Sequence, residues 1–233
     1  MSGLPASALL AVWLDAVRAG RAGPDDLATA VQRDDPRHLV VGLPESGALD
    51  LVELPARLPG PVSLALAAPG DLVGLGGPPD LNRAVIEAGE AVIIGGVGLV
   101  PEEDARTVLW RVRPASPAPF VDERETAVHL RTTLAEVTRA LVDLDVAAWQ
   151  PEIPDLLMDL RRRPVAPLPP GFDGRRAETV ERAALCMTIV ELARSGEGGA
   201  VSAYEMERRG AALAALGRAA RHALVGACQG RSA

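Results

Sequence analysis

The chain has 233 residues, a net charge of −7 and 48% hydrophobic residues, of which few are aromatic. All 24 of its basic residues are arginine, which excludes Schiff-base, pyridoxal-phosphate, P-loop and kinase-type chemistry, since each requires a lysine. The length suffices for one large domain or two small ones without disulfides or metals, and the Ala, Leu and Val content favours closely packed helices.

In chain order, Leu10, Trp13 and Val17 recur at helical spacing and predict a helix over 6–19. Gly23, Pro24, Asp25 and Asp26 then form a helix start, so a helical hairpin precedes a sheet. Short apolar runs punctuated by Gly and Pro predict four strands: His38 to Gly42, Val62 to Ala67, Ala91 to Ile94 and Thr107 to Val112. Gly47 to Leu54 reads as a short helix ended by Pro55, and Leu81 to Glu87 as another capped by Asp80. The strand–helix–strand order suggests parallel pairing through right-handed crossovers, and Pro101 to Ala105 reads as the turn into an antiparallel edge. Gly95, Gly96 and Gly98 suggest a bulge or bend.

Pro114, Pro117 and Pro119 mark a stiff linker. The expected organisation is therefore a helical hairpin plus α/β sheet over 1–113, a Pro-rich linker over 114–121 and a helical region over 122–233, which can pack on the sheet as one domain. In that last region Leu130, Leu134, Val137, Leu141 and Leu144 form a narrow seam, Pro151 and Pro154 open a shorter helix, and two further helices follow around Val180 to Val190 and Leu213 to Leu224. The fold class expected is thus α/β, with a mixed sheet of about four strands, short crossover helices and an all-helical C-terminal region.

The most suggestive loop for a ligand is 69–83. Gly74, Gly76 and Gly77 permit close approach of backbone amides, Asp71 lies beside them, and Asn82 with Arg83 sits on the first turn of the next helix. The spacing matches neither GxGxxG nor GxxxxGK[ST], and no GxSxG elbow is present. For a partner, Arg161, Arg162, Arg163, Arg175 and Arg176 concentrate five positive charges in an acidic chain, and guanidinium forks suit carboxylates or phosphates. Gly210, Ala211, Ala214 and Ala215 place small residues at helical spacing, and this row or the Leu130 to Leu144 seam could serve a homodimer, with packing inside the chain as the default use of both.

Cys186 and Cys228 fall in apolar helical sequence and read as buried thiols of a reducing compartment. The longest apolar run, Ala91 to Val100, is about half a membrane span, and the pI near 5.1 disfavours nucleic acid. No metal site and no cofactor are expected. The balance leans away from an enzyme, toward a cytoplasmic, non-catalytic binding, regulatory or scaffold module that contacts a protein partner or itself through the helical region. The alternative is a small-molecule or nucleotide-binding protein, or an enzyme, with its site at loop 69–83.

Overall fold

A computed structural model describes residues 3–33, 37–44, 47–104, 107–143, 167–195 and 203–230. Helix α1 (Ala6–Arg18) is buried on nearly all sides, with Leu9, Leu10 and Leu14 fully enclosed. Each such leucine contributes roughly 2 kcal/mol on burial, so α1 is the central rod of the core. Helix α2 (Pro24–Gln32) starts as the sequence predicts, with Pro24 in the first turn and the Gly23 amide donating to Asp26 at 2.8 Å.

The sheet has six strands: β1 (Arg37–Val41), β2 (Leu49–Asp50), β3 (Val62–Ala65), β4 (Ala91–Ile94), β5 (Val97–Asp104) and β6 (Thr107–Pro114), in the order β2-β1-β6-β5-β4-β3. The expected mixed sheet is present, but it has two strands more than expected and the parallel crossovers are corrected. Among the described residues only β1 and β6 pair in parallel; β3–β4, β4–β5 and β5–β6 are antiparallel. The cause is local: Gly95 and Gly96 form a two-residue hairpin turn between Ile94 and Val97, with Gly95 at φ +56°. Residues 101–104, expected as a turn, instead extend β5. Pro101 lies past the start of β4, where β5 has a neighbour on one side only, so a missing amide is tolerated there. Gly47 to Leu54 likewise divides into β2, a 3-10 turn (Leu51–Glu53) and the start of α3 (Leu54–Arg57), where Pro55 opens the helix rather than ending it.

Strand β4 is buried throughout because both faces are covered. Val92 and Ile94 join the main core around α1, whereas Ala91 and Ile93 meet Leu81 and Val85 of α4 (Pro79–Ala88) in a smaller cluster. Pro78 and Pro79 begin α4, and Asp80 sits within its first turn rather than at the cap.

Helix α1 begins after Pro5, which offers no side-chain cap. Glu90 supplies one from across the fold, accepting the Ser7 amide at 2.7 Å. Burial pushes the Glu90 carboxyl above its ordinary value, and the Ser7 hydrogen bonds offset this only in part. A raised carboxyl favours the fold most below the ordinary glutamate pKa, and that contribution is lost as pH rises through the folded value. Glu90→Ala is therefore expected to cost about 1 kcal/mol through loss of the cap. Glu90→Gln, which keeps an acceptor and removes the penalised charge, should be more stable than the alanine variant at pH 7 in urea melts.

Three further helices are described: α5 (Glu123–Asp143), α6 (Gly174–Ser195) and α7 (Ala203–Cys228). The helix expected around Pro151 to Leu160 lies outside the described residues. Helices α5 and α6 each pack along α7 but scarcely touch one another. The start of α5 abuts the end of α7, where a Cβ on Gly226 would crowd Glu123 and Thr126. The start of α6 meets the same end of α7 through Arg176 and the Ala227 carbonyl. Both helices therefore run antiparallel to α7 and parallel to each other, with their starts side by side. Helix α7 also packs on α1 and β3, and the Gly230 amide donates to the Val62 carbonyl at 3.0 Å, joining the helical layer to the sheet.

Candidate functional site

The parallel course of α5 and α6, separated by α7, leaves a groove. It is an open cleft of about 1250 Å³, with the first turns of α5 and α6 as walls, the end of α7 at Gly226 as floor, linker residues such as Pro117 and Phe120 at one side, and Val62, Ser63 and Ile93 of β3 and β4 completing the lining. Arg124 and Arg131 line it from α5, and Arg175 and Arg182 from α6. Arg124, Arg131 and Arg175 are exposed and Arg182 is half-buried. None of the four has an ion-pair partner among the described residues. Phe120 stands at the rim 85% exposed.

Four carboxylates share the lining, so formal charges nearly balance there, but three of them are engaged. Asp122 caps α5 by accepting the Glu125 amide at 2.8 Å, and Asp173 caps α6 by accepting the Arg175 and Arg176 amides at 2.9 and 3.1 Å. Those amide hydrogen bonds hold the Asp173 carboxyl below its ordinary value. Glu123 stands 3.7 Å from Arg176. Glu178 alone among the lining carboxylates has no capping or pairing role among the described residues.

The sequence candidates divide sharply. Arg175 is exposed on the groove, whereas its neighbour Arg176, which also lines it, is buried against the end of α7. Its Nε and Nη2 donate to the Ala227 carbonyl at 2.8 and 2.6 Å, Nη2 also donates to the Gln229 carbonyl at 2.6 Å, and its guanidinium stacks 5.0 Å from the Phe172 ring centre. Arg176 thus closes the end of α7. Arg161, Arg162 and Arg163 lie outside the described residues. Arg124, Arg131 and Arg182 are not among the sequence candidates. Their signal is a spacing of seven residues on each helix, which places both members of a pair on one stripe.

The loop-69–83 candidates are held in packing and pairing. Asp71 is nearly buried and accepts from Arg221 at 2.7 Å and from the His222 ring at 2.8 Å, both on α7. Burial works to raise its carboxyl, but the His222 and Arg221 hydrogen bonds and charges outweigh this and leave it below its ordinary value. A Cβ on Gly74 (φ +84°) would overlap the Leu64 carbonyl and Ala65 of β3, and one on Gly76 would overlap the Pro117 carbonyl. Gly77 (φ +98°) faces Ser116, and its carbonyl accepts the Ser116 amide at 2.9 Å. Arg83 pairs with Asp80 at the surface, and the buried Asn82 Oδ1 has no protein partner among the described residues. None of these six residues lines the groove. A second, smaller cleft of about 450 Å³ is lined by His38, Glu87, Glu90 and Glu103, and it too excludes them.

Other reactive side chains are committed elsewhere. Trp110 Nε1 donates to His38 Nδ1 at 3.2 Å within the core, which places the proton of a neutral His38 ring on Nε2. Burial pushes the Cys186 and Cys228 thiols up to about 11 and about 12, so both stay protonated and poorly nucleophilic. Among the described residues no group of three or more His, Cys, Asp or Glu is placed to hold a metal ion, and no helix is long and apolar enough to cross a membrane. Gly210, Ala211, Ala214 and Ala215 are all exposed on α7.

Comparison with known proteins gives relatives in mycobacteria. The chain is 32% identical over 124 residues to the protein named "Uncharacterized protein Rv1486c" of Mycobacterium tuberculosis (strain ATCC 25618 / H37Rv), covering 41% of this chain and 43% of that protein. It is 28% identical over 172 residues to "Uncharacterized protein ML1804" of Mycobacterium leprae (strain TN), covering 58% of this chain and 55% of that protein. The matches thus span about half the length of these curated relatives. No solved structure gives a significant match. Residues 7–126 match the family described as Rv1486c-like protein, N-terminal domain, and residues 124–225 match its C-terminal domain. With the first match alone extending over half of its length, the chain belongs to the Rv1486c-like protein family.

Proposed function

We propose that this protein is a cytoplasmic, non-catalytic binding module whose recognition surface is the groove between α5 and α6, and that its partner is a protein presenting an acidic segment. The observation that carries this reading is the convergence of Arg124, Arg131, Arg175 and Arg182 on one open cleft with no ion-pair partner among the described residues. Unpaired guanidinium groups in a concave surface favour carboxylates, which they grip in bidentate fashion. The exposed Phe120 at the rim adds an aromatic contact, and arginine and aromatic residues are the types that dominate interface energies. Two buried, protonated thiols fit a reducing compartment.

The test is fluorescence anisotropy with a labelled oligoglutamate peptide at low and physiological salt. The full chain is expected to bind it, and the quadruple variant Arg124→Glu, Arg131→Glu, Arg175→Glu, Arg182→Glu should bind at least about tenfold more weakly. Its Tm should move by less than about 4 °C, because exposed charges contribute little to folding. Equal binding by both proteins, or none by the wild-type chain, defeats the proposal.

A further inference from the structure

The spacing of the groove's charges specifies its occupant more closely, provided that the groove is a site for an acidic partner as proposed above. On each wall the two arginines are seven residues apart, Arg124 and Arg131 on α5 and Arg175 and Arg182 on α6. Seven residues at 1.5 Å each place the members of a pair about 10.5 Å apart along the axis. The walls run parallel, so the groove presents two basic rows of the same period, side by side. This is the arrangement that flanks a helix in a coiled coil, where charges repeat every heptad on either side of an apolar seam.

Size agrees with shape. Two turns of helix about 11 Å across occupy roughly 1000 Å³, comparable with the cleft of about 1250 Å³. Within the α5 row, Ala127 lines the cleft with only a methyl group, which permits a close approach of helix axes. Helices α5 and α6 scarcely touch, so an inserted helix would complete a four-helix layer around α7.

The two walls also differ. On α6, Glu178 falls between Arg175 and Arg182, giving the charge order plus, minus, plus along one stripe. On α5, Ala127 falls between Arg124 and Arg131 with no opposing charge. We infer that the groove takes an acidic amphipathic helix of a partner protein, with carboxylates seven residues apart on both flanks and one basic residue between them on the flank facing α6. The asymmetry sets the direction in which that helix lies.

Three synthetic 21-residue peptides, the first two of one composition, test this against the full chain by fluorescence anisotropy. The first carries a Leu/Ala seam, glutamates at heptad spacing on both flanks and a lysine midway along one flank. The second has the same residues with the glutamates moved off heptad spacing, and the third is the first with two central residues replaced by proline. The matched peptide is expected to bind at least about tenfold more tightly than either other one, and to gain helical circular dichroism on binding. Glu178→Arg should weaken the matched peptide and strengthen a version in which its lysine is glutamate, with the urea midpoint unchanged.

Equal affinity for all three peptides overturns the helix inference and leaves the acidic-partner reading standing, because charge alone is then being read. Failure of every acidic peptide, oligoglutamate included, overturns both. Tighter binding of a single-stranded RNA of equal charge than of any peptide also overturns the inference, and assigns the arginines to phosphate.

Discussion

Arg176→Ala is expected to lower the free energy of unfolding by about 3 kcal/mol, whereas Arg175→Ala, one residue away, should change it by less than about 0.5 kcal/mol. The Arg176 side chain is only 10% exposed and makes three hydrogen bonds of 2.6–2.8 Å to the Ala227 and Gln229 carbonyls. The last carbonyls of a helix have no partner within it, and the negative end of its dipole lies there, so a buried cation satisfies both demands at once. Alanine would leave those acceptors short of donors, open a void beside Phe172 and remove the cation facing Glu123. Arg176→Lys should fall between, because an ammonium cannot reproduce the planar fork that spans two carbonyls. Urea denaturation of the three variants measures this, and equal midpoints for Arg175→Ala and Arg176→Ala would show that Arg176 does not hold the end of α7. Because Arg176 also lines the groove, loss of binding on changing it is read beside its effect on stability, whereas loss on changing Arg175 reports recognition.

Local chemistry was legible wherever one element determined its own form. The burial of α1, the start of α2 at Pro24 and the α5 seam through Leu130 and Val137 all follow from periodicity and end signals. What failed was pairing. Ala91 to Val100 is one apolar run, and its apolar character does not reveal that Gly95 and Gly96 fold it into two strands. Once that turn is in place, β4–β5–β6 becomes an antiparallel meander, and the only parallel pair among the described residues is β1–β6, between strands far apart in sequence. Strand β2 is two residues long and exists only because β1 offers it an edge, so nothing within Leu49–Asp50 could announce it.

For the candidate site, sequence shows which residues carry charge and not how the fold arranges them. Adjacent arginines stand out in a chain of net negative charge, which draws notice to Arg175 and Arg176 together although the first is exposed and the second is buried and bonded to the end of α7. The groove is built from side chains on two helices, and its geometry depends on both packing against a third. A heptad of arginines on one helix is ordinary surface; two such heptads become a pattern only when the helices are seen to run parallel. The glycines of loop 69–83 carry a true signal of close backbone approach, but what approaches Gly74 and Gly76 is the chain's own β3 and linker. Spacing in sequence states that something must come near, and leaves open whether it is a ligand or another part of the fold.

Asp71 shows the same lesson at its largest scale, and its replacement should have a comparably large effect. Its side chain is 6% exposed and joins loop 69–83 to Arg221 and His222, about 150 residues further along the chain. Asp71→Ala is expected to cost about 3 kcal/mol, mostly because Arg221, itself only 18% exposed, is left as an uncompensated cation. The pH dependence has a definite sign. Burial opposes ionisation of Asp71, but the hydrogen bonds and charges of His222 and Arg221 prevail and hold its carboxyl below the ordinary value. The ionised form therefore contributes its full stability above the unfolded pKa of about 4, and that contribution disappears as pH falls through the lower folded value. Asp71→Asn, which cannot ionise, should be less stable than wild type at pH 7, and the gap should narrow steadily as pH is lowered below about 4. Urea melts of the two proteins at matched pH values decide it: a gap that stays constant down to about pH 2.5 would mean that Asp71 acts as a neutral hydrogen-bonding residue and not as the anion binding α7 to the sheet.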